Sequence, residues 1–240
     1  MRPDNAFERT GRHRGPRLAA AHAPIALMLG IATSCVAAQT LEPPARSDEV
    51  RGKGTLRIQP AVGLRMGQLF VRFETTRLSD VLNSAERGTI GRHGDAGGSE
   101  YFLCFTQTSN RRFSRVWVIS HGEMGGSDHV VTQVFAQRVE TADATSDGCP
   151  PLPSRLQPIA LDRGIWLGTT RKQLLKKLGQ PSASRDDWLT FNFLGTVPSA
   201  SRPSGDLAQK IVDLDITNIV EARLKDGRID AIRASRVTSY

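Results

Sequence analysis

His121 and His129 are the residues of this chain whose spacing most suggests chemistry. They flank a turn, Gly122-Glu123-Met124-Gly125-Gly126-Ser127, that also carries Glu123 and Asp128. A hairpin there would bring two imidazoles and a carboxylate together, enough to hold Zn²⁺ or Cu²⁺ with three ligands and one open position. The simpler reading is that strand ends and turns collect His, Glu and Asp as solvated residues, and none of these spacings is a recognised metal motif. Ser99 or Ser127, with His93 or His129 and a nearby Asp, offers the parts of a hydrolase. No G-x-S-x-G elbow accompanies them, and the surrounding GGSE and GGSD read as turns. Asp186 and Asp187 precede Trp188 and read as a solvated turn before a strand. No catalytic residue, resident metal or cofactor is therefore expected.

Arg111, Arg112 and Arg115 around Phe113 form the densest basic patch beyond the leader. In an exported protein such a patch would meet anionic lipid, lipopolysaccharide or an acidic protein face rather than nucleic acid. The plainer alternative is a charged hairpin tip that keeps a sheet edge soluble.

Export is the expectation because of the first forty residues. An arginine-bearing start leads into the apolar run Leu18 to Ala38, which ends in small residues before a polar stretch, the plan of a secretory signal peptide. Cleavage is expected after Ala38, giving a periplasmic or secreted protein, with lipoprotein processing at Cys35 as the rival. Of the net charge of +8, the leader's five arginines and two acids account for +3, leaving a mild +5. Cleavage also leaves two cysteines, Cys104 and Cys149, an even number in an oxidising compartment. They are too far apart for a C-x-x-C, so a structural disulfide is expected.

The 240 residues, 39% hydrophobic and 23% charged, suffice for one large or two small globular units. Residues 39–54, rich in proline, glycine and charge, read as a flexible mature N-terminus. Residues 55–140 read as a β-rich module: short strands at 55–58 and 68–73, and a helix from Thr75 to Leu82 with a threonine cap. A glycine-rich loop at 88–99, a strand at 101–106, an all-apolar central strand at 113–120 and a return strand at 129–139 follow. Residues 141–158 form a proline-rich linker that contains Cys149.

The second module spans 159–240. Thr169 or Thr170 caps a helix with Leu174, Leu175 and Leu178 as its apolar stripe, Gly179 stops it, and Pro181 prevents continuation. A strand at 188–194 and an exposed loop at 195–206 follow. A long period-two strand then begins at Val212, with Ile216, Val220 and Ala222 on its buried face. Asp226-Gly227 turns it into a partner at 228–237. Thr75-Thr76-Arg77 and Thr169-Thr170-Arg171 each open a helix and hint at a tandem repeat. The expected class is α+β, two small modules, each a short helix on an antiparallel sheet.

From Gly164 to Pro181 the chain reads G-I-x-L-G-x-T-x-x-x-L-L-x-x-L-G-x-P. This resembles the helix-and-turn signature of the SmpA/OmlA-like small lipoproteins of outer-membrane assembly. The β-lactamase inhibitor protein fold is similar and contains two such modules in tandem. Over residues 160–238 the resemblance implies a helix packed on a three-stranded antiparallel sheet. It further implies a non-enzymatic role through protein contact in the cell envelope; the expected function is protein or ligand binding there.

Overall fold

In a computed structural model, residues 41–44, 56–95, 98–109, 112–122, 128–140, 148–198 and 213–239 are described. The leader with Cys35 and Ala38, Arg111, Glu123 and Ser127 lie outside them. The element order is β1 (Gly63–Met66), β2 (Leu69–Arg72), α1 (Leu78–Ala85), β3 (Gly91–His93), β4 (Glu100–Ser109), β5 (Arg112–His121) and β6 (Gln133–Val139). It continues with β7 (Ile159–Leu161), α2 (Arg171–Leu178), β8 (Ala183–Arg185), β9 (Trp188–Pro198), β10 (Asp213–Lys225) and β11 (Arg228–Ser239). The class is α+β in the broad sense and mostly β in substance.

Two sheets carry the fold, one of order β2-β1-β7 and one of order β3-β4-β5-β6-β11-β10-β9-β8. Every pairing between these strands is antiparallel. The larger sheet runs through both expected modules, joined where β6 meets β11. The smaller sheet joins them again, because β7 pairs with β1. One face of the large sheet, through Leu103, Phe105, Val116, Val118, Phe191, Val220 and Ile232, packs in one core with both helices and the small sheet. Burial of this aliphatic surface is the main stabilising term.

The α2 segment obeys its local signals. Thr170 Oγ1 accepts from the Gln173 amide and Gln173 Oε1 accepts from the Thr170 amide, a reciprocal cap. Leu174 and Leu178 are buried, and Gly179 closes the helix at φ 85°. The first helix departs from the expected threonine cap. Thr76 Oγ1 accepts from the Arg72 amide, and Asp80 caps the Arg77 amide at 3.0 Å. With its hydroxyl engaged upstream, Thr76 leaves the helix to begin at Leu78. The glycine-rich loop also contains β3, a three-residue edge strand, and β9 runs to Pro198 into the expected loop.

The repeat is real in topology but not in the three letters that hinted at it. An eight-residue helix, a three-residue edge strand and three long strands occur twice in the same order. Val131 donates its amide to Thr76 O, just as Ile229 donates to Thr169 O. Leu78 likewise donates to His129 O as Arg171 does to Gly227 O. These contacts align Thr76 with Thr169 and Arg77 with Thr170, one residue away from the match of TTR on TTR. The same alignment sets Gln133 on Ala231 and Gln137 on Ser235. The pairs Gln133↔Ser235 and Ala231↔Gln137 then exchange, and Phe135↔Arg233 lies on the two-fold axis.

The other face of the sheet carries a smaller cluster that includes Phe102, Trp117, Phe135, Cys104 and Cys149. Cys104 and Cys149 form a disulfide. Around it, Thr106 donates to Pro150 O at 2.9 Å and Leu152 donates to Thr106 O at 2.8 Å. The described part of the expected linker is therefore fastened along β4. Residues 41–44 of the expected flexible terminus are held as well. The Leu41 amide donates to Gly148 O, and Trp117 Nε1 donates to Leu41 O at 2.9 Å.

Candidate functional site

Strand register places two arginines on one face. In β5 the even positions face the helices, and Ser114 pairs with Arg138 of β6, so Arg112 and Arg138 emerge side by side. The β6–β11 pairing stops at Gln137↔Ala231, which leaves the ends of both strands apart. Arg228 begins β11, and its Nη1 donates to Gly168 O at 3.1 Å in the loop leading to α2. Arg112, Arg138 and Arg228 thus line two adjoining depressions of about 550 and 620 Å³.

The Trp166 indole completes one side of the groove. Phe113 borders both depressions, and Trp166 borders the first. Trp166 Nε1 donates to Gln107 Oε1 at 3.2 Å, which fixes the indole. Gly168 has φ 89°, and a Cβ there would lie 2.9 Å from Arg138 Nη2. Glycine at this position therefore permits both the turn and the close approach of the guanidinium.

Of charged residues, the first depression is lined by cations alone, whereas the second also carries Glu140, Asp226 and Asp230. Burial lowers the affinity of Arg138 for its proton; the neighbouring charges of Arg112 and Arg228 lower it further, and Asp230 opposes them. Asp230 is engaged elsewhere: both its oxygens accept from Arg223, at 3.1 and 2.9 Å. Among the described residues no carboxylate forms an ion pair with Arg138. Three guanidiniums so placed have the geometry to hold an anion by forked hydrogen bonds.

No family model, curated protein or solved structure matches the chain.

The residues singled out from the sequence lie in several places. Arg112 belongs to the groove, whereas Arg115 points to the opposite face of β5 and is only 9% exposed. The basic cluster around Phe113 therefore divides across the sheet, because neighbouring odd and even strand positions face opposite ways. His121 accepts or donates at both ring nitrogens, Nδ1 to Thr132 Oγ1 at 2.6 Å and Nε2 to Glu100 at 3.1 Å. His129 stacks on Tyr101 at 3.9 Å between ring centroids. With φ 49° it fills the turn position that Gly227 holds in the second half, a conformation histidine tolerates better than most residues. Asp128 pairs with Arg77 at 3.0 Å. Among the described residues no group of three His, Cys, Asp or Glu side chains is placed to hold a metal ion. His93 meets Glu42 at 3.0 Å, and Ser99 is buried against Gly122. Asp186 turns β8 into β9 at φ 51°.

Sequence reasoning missed Arg138, Arg228, Trp166 and Gly168. Arg228 lies 90 residues beyond Arg138, and only sheet order brings it to the other two arginines. No local spacing carries that signal.

Proposed function

We propose that this protein is an exported, non-catalytic binding protein of the cell envelope, built from two tandem helix-on-sheet modules. It holds an anionic group of its ligand or protein partner in the Arg112–Arg138–Arg228 groove. The observation that carries the reading is the half-buried Arg138, set among like charges and without a paired carboxylate among the described residues. That arrangement is unfavourable in the free protein and is relieved when an anion enters. The disulfide and the leader-like start support a place outside the cytosol. The duplicated topology supports the tandem modules and accords with the β-lactamase inhibitor protein-like plan. Arg112 stands at the groove rim, so contact with anionic lipid becomes one outcome of the same test.

The test is titration of the mature, oxidised protein with inorganic phosphate, glutarate and anionic vesicles, read by the amide shift of Gly168. Saturable shifts in wild type that vanish in Arg138→Gln are expected for a soluble anion. Vesicle binding without response to either soluble anion would make the site a lipid contact. The absence of any response, or equal responses in the variant, would refute the groove.

A further inference from the structure

The internal two-fold gives Arg138 of this groove a counterpart, and there the anion is part of the chain. Aligning the halves puts Arg236 on Arg138 and Thr238 on Glu140. Arg236 Nε lies 3.3 Å from Glu74 Oε2, with both side chains about four-fifths buried. Glu74 Oε1 accepts from the Thr238 amide at 2.5 Å, and Oε2 accepts from Thr238 Oγ1 at 2.8 Å. The carboxylate thus fills the notch that opens where the β6–β11 pairing ends.

Glu74 comes from the loop before α1, and the loop before α2 is its counterpart. Both loops end on a threonine whose hydroxyl accepts from the amide that opens the loop: Thr76 from Arg72 at 2.9 Å, and Thr169 from Trp166 at 3.1 Å. The first loop is one residue longer and carries Glu74 at φ 59°. The second has Leu167 and Gly168 instead, and Gly168 abuts Arg138 where Glu74 would abut Arg236. One half therefore contains guanidinium and carboxylate; the other contains the guanidinium and an open groove, with Glu140 in the place of Thr238.

Resting on the reading of the groove as an anion site, we infer that its occupant is a carboxylate carried on an acidic peptide segment. It seats against Arg138 and the β6 end as Glu74 seats against Arg236 and Thr238. Two features favour a peptide over a free acid. The template carboxylate is itself a glutamate side chain, presented from a turn of the chain at φ 59°. The groove also runs on from Arg138 toward Trp166 in the depression that no carboxylate lines, which gives a flanking chain somewhere to lie; the other depression carries Glu140, Asp226 and Asp230 beside Arg223.

The experiment compares triglutamate peptide, glutarate and inorganic phosphate on the full mature protein, by calorimetry and by the Gly168 and Glu140 amide shifts. Triglutamate should bind at least about tenfold more tightly than phosphate, and Arg138→Gln should weaken it by about tenfold or more. Leu167→Glu should place a carboxylate in cis, abolish peptide binding and raise the melting temperature. Leu167→Gln, equal in size to glutamate but neutral, should bind peptide clearly more tightly than Leu167→Glu does. Phosphate binding without triglutamate binding would overturn this inference and leave the anion site standing. Glutarate binding as tightly as triglutamate would overturn the peptide. A lack of binding by all three would refute the site itself. Equal peptide affinity in Leu167→Glu and Leu167→Gln would refute the two-fold template.

Discussion

Asn218→Leu separates two ways of reading β10. Position 218 belongs to the face that carries Ile216, Val220 and Ala222, so leucine would complete an apolar stripe and pattern alone predicts stabilisation. The structure predicts the reverse. Asn218 is 0% exposed; its Nδ2 donates to Ala61 O at 2.6 Å and its Oδ1 accepts from the Ala61 amide at 3.2 Å. These bonds dock the segment entering β1 onto a strand far along the chain. Leucine would orphan a buried N–H and a buried C=O, at about 1–3 kcal/mol each. Its own burial returns roughly 1.5–2 kcal/mol. The net loss is on the order of 2 kcal/mol, or about 4–8 °C in melting temperature for a domain of this size. Urea denaturation of the oxidised protein measures the first quantity. Hydrogen exchange at the Ala61 amide locates it, since that amide should exchange faster relative to the core of β5. An unchanged or higher urea midpoint would refute the argument that polar satisfaction outweighs apolar area at this position.

Replacing Cys104 and Cys149 together by serine should cost up to about 4 kcal/mol, the chain-entropy value for a loop of 45 residues; non-reducing against reducing melts measure it. Limited proteolysis should then find residues 41–44 and 148–152 cut first. Thr170→Ala should cost about 1 kcal/mol in urea. Arg77→Ala should cost under about 0.5 kcal/mol, because Asp80 caps α1 and the Arg77–Asp128 pair is largely exposed. Glu74→Gln should lose about 1.5–3 kcal/mol in urea, the worth of hydrogen bonds to a charged acceptor. Arg138→Gln should leave the melting temperature unchanged or raised, because it removes a burdened charge, while it removes anion binding; a clear loss of stability would instead make Arg138 a structural residue.

Local chemistry was legible wherever the decisive neighbours lie within a few residues. Thr170, Gln173, Leu174, Leu178 and Gly179 write α2 in their own spacing, and the period of two in β10 writes a half-buried strand. Cys104 and Cys149, the two cysteines beyond the expected leader, were enough to expect their pairing, which the fold contains. The same kind of reasoning misplaced the cap of α1, since the partner of the Thr76 hydroxyl is the amide of Arg72, in the turn behind it.

Tertiary structure alone decided the rest. Whether Arg112 keeps company with Arg115 or with Arg138 depends on which face of β5 each occupies and on β6 pairing with it in the register Ser114↔Arg138. That Arg228 joins them depends on β11 lying next to β6, a neighbour made by sheet order rather than by chain order. The duplication likewise appears in hydrogen-bond register and not in letters, because a fold constrains burial and backbone pairing at each position far more tightly than it constrains residue identity. Short-range spacing determines helices, turns and strand faces; a site built from strand ends exists only once the strands have found one another.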